Sequence, residues 1–294
     1  MLFRSTHGVI ACECCVFPVV DGITVMHLQA NSNAARLQIE QGRPDLALRA
    51  MVGLDRQEDA ERFEATIASP SATFRDIVEA LGPGFEGGYF LYRFSDPTFI
   101  VAQAVVRAVA GTVLRGQRRA IDVCGGSGHL TRTLMDLSPA TALPPVLADL
   151  YFAKIWLARR FTAPGCEPVC CDGNAALPFA RGAFGYAMCS DAFMLIWQKR
   201  PLIGELCRLV DTPGDPGTVL VTHTHNQLVW SPSHGNALTP AGYLNLFETR
   251  TVRAFAEARL FANVVGGGPL DLSQGDSDEA LKADAALTFI ASEE

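Results

Sequence analysis

The stretch Ala120-Ile121-Asp122-Val123-Cys124-Gly125-Gly126-Ser127-Gly128-His129-Leu130 holds the residue types best suited to chemistry: an apolar run, a carboxylate, then a glycine-rich turn. Glycines permit positive φ and let a ligand approach the main chain, and the amides opening the next helix can hydrogen-bond it. Two cofactor classes use such turns. A dinucleotide fingerprint asks for G-x-G-x-x-G, but counted from Gly126 the third glycine position is Thr131. Asp122, two residues ahead of the turn, would repel a pyrophosphate and attract an ammonium or sulfonium group. The turn therefore favours S-adenosylmethionine over a nicotinamide cofactor.

Ligands of an open parallel sheet bind at the carboxyl ends of its strands. Three carboxylates fall at such positions: Asp122, Asp149 and Asp172. A carboxylate ending the second strand can accept hydrogen bonds from both ribose hydroxyls, and a side chain after the third can meet an adenine amino group. Asp149 also precedes a helix it can cap, and Asp172 with Gly173 can close a turn. Tyr89, Tyr92 and Phe94 could cover the cofactor, with Arg93 pairing its carboxylate; a packing role is the alternative.

Methyl transfer is an in-line displacement that needs an aligned nucleophile and, for a hydroxyl acceptor, removal of a proton. His223 and His225, with Asn226, follow the fifth strand, and strand alternation puts both on one face. His225 is the first candidate for base or substrate contact and His223 the second; hydrogen bonding within the loop is the alternative. His234 lies further along, but no nearby acid completes a metal site, so none is expected. His129 is expected to face solvent.

The elements that must position these groups alternate. After the glycine-loop strand come helix (Leu130 to Leu137), strand (Pro145 to Ala148), helix (Phe152 to Arg160), strands (Glu167 to Cys170 and Tyr186 to Ser190), helix (Pro201 to Leu209) and strand (Thr218 to Thr222). Such alternation means a parallel sheet covered by helices. A helix capped by Ser95 or Asp96, with Pro97 in its first turn, precedes the domain. The tail adds a helix near Ala241 to Phe247, a segment around Val252 to Phe255 and a strand at Ala285 to Ile290. At the start, Phe17 to Val20 and Ile23 to Met26 flank Asp21-Gly22, a hairpin signal. Ser32 to about Glu79 reads as helices broken at Gly42-Arg43-Pro44 and Ser69-Pro70.

With 294 residues, 49% hydrophobic and 19% charged, the chain can bury a large core. Its 24 basic and 31 acidic residues leave a net charge of −7, which opposes binding to a phosphate backbone, so no nucleic-acid partner is expected. Cys12, Glu13, Cys14 and Cys15 interrupt the apolar patch near the start, so no export signal is read. Phe99 to Leu114 contains Gln103 and Arg107 and is too short to span a bilayer. Nine irregularly spaced cysteines imply reduced thiols, and the expectation is a cytoplasmic protein.

Residues 96 to 225 resemble the catalytic domain of the Rossmann-like, class I S-adenosylmethionine-dependent methyltransferases. The resemblance runs through Asp122-Val123-Cys124-Gly125-Gly126-Ser127-Gly128, Ala148-Asp149-Leu150, Cys171-Asp172-Gly173-Asn174, Leu177-Pro178-Phe179, Ser190-Asp191-Ala192-Phe193 and Glu205-Leu206-Cys207-Arg208-Leu209-Val210. Cys124 replaces the usual first glycine of the loop, and Gly185 the usual acidic residue after Phe184. The resemblance implies an α/β, doubly wound, seven-stranded sheet, mostly parallel with the last strand antiparallel, and the pattern ahead of it adds an N-terminal hairpin and a helical cap. It implies cofactor contacts at Asp122, Gly125, Gly126, Gly128, Asp149, Leu150, Asp172, Gly173 and Ser190, to which Arg93, ahead of the domain, is added as the candidate partner of the cofactor carboxylate. The division expected is a ribbon-like segment over 1–30, a cap over 31–94 and the cofactor-binding domain over 95–294.

Cys12-x-Cys14-Cys15 followed by Phe17-Pro18-Val19-Val20-Asp21-Gly22-Ile23 is similar to the second half of a small zinc-ribbon module that activates, or is fused to, methyltransferases. A structural zinc site takes four ligands, commonly two separated pairs, and no first pair precedes Cys12. The expectation is a metal-free hairpin used for packing or for contact within a homodimer, with zinc at Cys12, Cys14 or Cys15 the alternative. The function expected is methyl transfer to a small-molecule acceptor. The alternatives are a noncatalytic partner subunit on the same fold and a nicotinamide-dependent oxidoreductase.

Overall fold

The computed structural model describes residues 6–82, 87–114, 118–231, 235–247 and 250–292. Its strands are β1 (Gly8–Ala11), β2 (Val16–Val20), β3 (Ile23–Val25), β4 (Ala120–Val123), β5 (Val146–Asp149), β6 (Glu167–Cys170), β7 (Tyr186–Ser190), β8 (Thr218–His225), β9 (Val252–Ala256) and β10 (Ala286–Ala291). They form one sheet in the order β1-β2-β3-β6-β5-β4-β7-β8-β10-β9. The stretch from β3 to β8 is parallel, while β10 runs antiparallel between β8 and β9. The sheet thus has ten strands rather than the seven expected. The three extra strands come from the N-terminal hairpin: β1 pairs with β2, β2 with β3, and β3 aligns with the open edge of β6, with Thr24 opposite Val169. Asp21 and Gly22, at φ 46° and 70°, make the two-residue turn between β2 and β3 that right-handed strand twist favours.

Helices cover both faces: α1 (Ala30–Glu40), α2 (Pro44–Val52), α3 (Gln57–Ala68), α4 (Phe74–Leu81), α5 (Gly87–Tyr92), α6 (Pro97–Val113), α7 (His129–Leu137), α8 (Phe152–Leu157), α9 (Lys199–Val210), α10 (Pro240–Leu244), α11 (Glu257–Val265) and α12 (Asp278–Ala283). Strand alternation sorts the core. Ile121, Val123, Ala187, Cys189, Val219 and Val221 pack with Leu202 and Leu206 of α9, whereas Ala120, Tyr186, Met188 and Leu220 pack with Phe99, Leu130 and Leu260 of α6, α7 and α11. A third cluster joins Leu147, Ile23 and Cys170 to Ile155 and Trp156 of α8, and to Ala35, Met51, Phe63 and Ile77 of the N-terminal helices. Asp96 is the cap of α6, accepting from the Thr98 amide at 2.8 Å, with Pro97 in the first turn. α2 ends earlier than the pattern indicated, at left-handed Gly53. Among the described residues no helix is long and apolar enough to cross a membrane.

Candidate functional site

The carboxyl ends of β4, β5 and β6 bring Asp122, Asp149 and Asp172 to one edge of the sheet. Asp122 is fully buried; its Oδ2 accepts from the Thr131 hydroxyl at 2.7 Å, and its Oδ1 is buried without a hydrogen-bond partner. Burial, with a smaller contribution from the charge of Asp149, lifts the Asp122 carboxyl to about 7 despite the Thr131 hydrogen bond. Gly125 lies directly on this carboxylate: a Cβ there would stand 2.5 Å from Leu147 and 2.6 Å from Asp122 Oδ2. Gly128, at φ 78°, would put a Cβ 2.8 Å from that of Ala158. The loop therefore needs glycine at both positions, for space at the first and for both space and backbone at the second.

Asp149 ties the loop to the next helix. Its Oδ2 accepts from the Gly126 amide at 2.9 Å and its Oδ1 from the Tyr151 amide at 2.8 Å, and burial raises its pKa against those bonds. Leu150 is half-buried beside it, its carbonyl accepting from the Cys170 thiol at 3.2 Å. Asp172 Oδ1 accepts from the backbone and side chain of Asn174, at 2.8 and 3.2 Å, in the turn that includes Gly173. Asn174 Oδ1 in turn accepts from the amides of Trp197 and Gln198, joining the loops after β6 and β7. Cys124 takes φ 61°, a conformation its glycine-like position demands, and its Sγ stands 3.2 Å from where a Gly173 Cβ would be.

A second group of charges occupies the ends of β7 and β8. Ser190 accepts from the Thr222 hydroxyl at 2.7 Å. Arg93 is buried, with Asp191 at 3.0 Å, the Thr98 hydroxyl at 2.9 Å and Asp96 at 3.5 Å, and its guanidinium lies 5.2 Å from the Tyr89 ring centre. Tyr89 donates its hydroxyl to Asp191. Of the helices before α6, α5 delivers side chains to this edge: Tyr89 onto Asp191, and Phe90 onto Gly126, 3.4 Å from a Cβ there.

β8 runs through His225, three residues past the expected end, so His223 and His225 are strand residues rather than loop residues. Opposite Thr288 the register shifts, placing Thr222 and His223 against one β10 residue, and His223 takes φ 48°. Its Nδ1 is 2.6 Å from Glu257 Oε2 and its amide donates to Oε1 at 2.7 Å, while Thr288 donates to Oε1 at 2.8 Å. Burial works against a charged His223, but the hydrogen bond and charge of Glu257 outweigh it and raise its pKa; burial likewise pushes Glu257 up, and His223 brings it below its ordinary value. His225 is buried, its Nδ1 3.5 Å from Ser231 Oγ and its ring edge-on to His223 at 5.7 Å. His234 lies outside the described residues. The carboxylate partner thus belongs to His223 rather than to His225, and Glu257, 34 residues away in sequence, carried only its place after a β-like segment as a signal.

His129 is buried, correcting the expectation of exposure. Its ring packs among Phe90, Phe94 and Phe99, with Nδ1 3.1 Å from Ser127 Oγ; burial first, then the charge of Arg93, lower its pKa to about 4. Cys12, Cys14 and Cys15 gather between β1 and β2 with their sulfur atoms within 4.8 Å of one another. Among the described residues no fourth His, Cys, Asp or Glu joins them.

No family model matches the chain, and no curated protein matches it. Solved structures with a similar fold include a geranyl diphosphate methyltransferase in complex with S-adenosylmethionine, 14% identical, covering 72% of this chain and 93% of that one at a TM-score of 0.47. The [4+2]-cyclase SpnF is 16% identical, with 66% and 80% coverage and a TM-score of 0.45. An S-adenosylmethionine-dependent methyltransferase from Mesorhizobium loti is 16% identical, with 61% and 95% coverage and a TM-score of 0.43.

Proposed function

We propose that the chain is a methyltransferase that binds S-adenosylmethionine over the ends of β4, β5 and β6 and methylates a small-molecule acceptor held over β7 and β8. The observation that carries this reading is the orphaned Oδ1 of Asp122 beneath the glycine loop. An ionised Asp122 would be a buried charge with one hydrogen bond, and a ligand ammonium brought to the loop is the compensation that fits it.

The donor set fits the rest of the cofactor. Asp149 keeps a second acceptor position on each oxygen for ribose hydroxyls, and Asp172 has an oxygen beyond its turn for an adenine amino group. In this reading Gly125, Gly126 and Gly128 would admit the ligand to the backbone, Leu150, Gly173 and Ser190 would border it, and Arg93 would share its guanidinium between Asp191 and the cofactor carboxylate. When bound, the cofactor supplies a methyl carbon activated by its sulfonium. The chain's own task is then to orient the acceptor and exclude water. In this reading residues 95–294 are the catalytic domain, 1–30 a ribbon, and 31–94 a lid whose last helix, α5, faces the acceptor.

Trp197 and Trp230, 79% and 82% exposed, stand with Leu195, Leu228 and Tyr151 in the loops after β5, β7 and β8. Exposed apolar side chains concentrated at the edge that binds ligands favour an acceptor with an apolar body. Calorimetry with S-adenosylhomocysteine tests the reading: binding at one site per chain, weakened at least about tenfold by Asp122→Asn, is expected, the loss of one charge-assisted contact being about 1.5–3 kcal/mol. Failure of the wild-type protein to bind would overturn it.

A further inference from the structure

Asp191, His223 and His225 meet at the acceptor side with their ligand atoms all within 4.8 Å of one another. Asp191 follows β7 at φ 53°, and Tyr89 and Arg93 occupy its Oδ2, which turns Oδ1 toward His223 Nε2 at 3.9 Å. That distance is too long for a hydrogen bond. It lies within the span of two atoms that each stand about 2.0–2.2 Å from a shared ion. His223 is also prepared for such an ion: Glu257 takes its Nδ1, so its Nε2 is the nitrogen aimed at Asp191. A carboxylate behind a histidine in this way fixes the ring and raises its basicity as a metal ligand.

The charge agrees. Asp96, Asp191 and Glu257 bring three carboxylates to this corner against the single guanidinium of Arg93, an excess of acidic side chains that suits a cation. Both strained residues of this corner, Asp191 and His223, are proposed ligands, and their left-handed backbone is what points them at one another.

We propose that Asp191, His223 and His225 bind one divalent first-row metal ion, with Glu257 orienting His223, and that this ion takes up a hydroxyl of the acceptor. Two imidazoles and one carboxylate leave open positions on such an ion. The cation lowers the hydroxyl pKa and its proton leaves to solvent; the oxygen lone pair then forms the O–C bond while the C–S bond of the donor breaks, its electron pair staying on sulfur. The ion's part in methyl transfer rests on the function proposed above; its binding does not.

The test uses the full chain with Cys12→Ser, Cys14→Ser and Cys15→Ser, stripped with a chelator and titrated with cobalt(II) alone, followed by visible absorption and calorimetry. One cobalt per chain is expected, with ligand-field bands and no sulfur charge-transfer band. Asp191→Asn and His225→Ala should each weaken it more than tenfold, and Glu257→Gln by about 10–100-fold. Thermal melts identify the folded variants, and where one fails to fold the others decide. No cobalt binding by the folded parent, or binding indifferent to the folded variants, overturns the site. S-adenosylhomocysteine titrated into the same proteins keeps the two readings apart: Asp122→Asn should lose the nucleoside and keep cobalt, whereas a parent that binds nucleoside and no cobalt refutes the metal site alone.

Discussion

The two halves of the carboxyl edge hold their carboxylates in opposite ways. Over β4 and β5, Asp122 and Asp149 are met by a hydroxyl and by backbone amides, and burial drives both pKa values up, Asp122 to about 7. Over β8, Glu257 is as deeply buried, yet its pKa is lowered, because His223 lies at 2.6 Å. All three are deeply buried carboxyl groups; the partner decides the sign. The first half holds its carboxylates by neutral hydrogen-bond donors alone, whereas in the second a histidine stands directly against Glu257.

That contrast breaks most sharply at Gly125. Gly125→Val forces a side chain onto Leu147 and the Asp122 carboxylate, and S-adenosylhomocysteine binding should fall at least about 100-fold, with the far-UV circular dichroism retained. In the other half, Glu257→Ala strands His223 and Thr288, and unfolding in urea should show a loss of about 3 kcal/mol with the slope unchanged.

Smaller effects sharpen the comparison through pH. A carboxyl whose folded pKa lies above its unfolded value favours the folded state below the ordinary carboxylate range, and that contribution is lost as pH rises through about 7. For ligand-free protein the loss is bounded by about 4 kcal/mol, from about three pKa units at 1.36 kcal/mol each. Cofactor affinity should run the other way. Ionised Asp122 is the form that attracts an ammonium, so S-adenosylhomocysteine should bind several-fold more tightly at pH about 7.5 than at about 6, with the slope abolished in Asp122→Asn. The smallest change is Cys124→Gly, which relieves a left-handed non-glycine residue and should raise stability by about 0.5–1 kcal/mol in the same urea experiment.

The two halves also differ in what could be read from sequence. Asp122, Asp149 and Asp172 were legible because each lies within two residues of the end of its own strand, and strand, turn and helix are local patterns. His223 was not separable from His225, because strand alternation assumes regular pairing. The bulge that reorients it depends on Thr288 of β10, and its partner Glu257 opens α11. The place of His129 at a helix start points to exposure, yet Phe90, Phe94 and Phe99 from earlier in the chain cover it. The hairpin turn at Asp21-Gly22 could be read from two residues; the pairing of β3 with β6 that enlarged the sheet to ten strands joins segments over 140 residues apart and left no local mark.

Cys124 carries a last consequence. If the loop holds an alkylating cofactor as proposed, it places a thiol of the chain itself beside that reagent, where self-modification would poison the protein. The neighbouring Cys189 and burial hold the Cys124 pKa well above that of an ordinary thiol, so at neutral pH it persists as the protonated, weakly nucleophilic form. In the proposed function, the sulfur at this left-handed position is thereby protected from the reagent bound beside it.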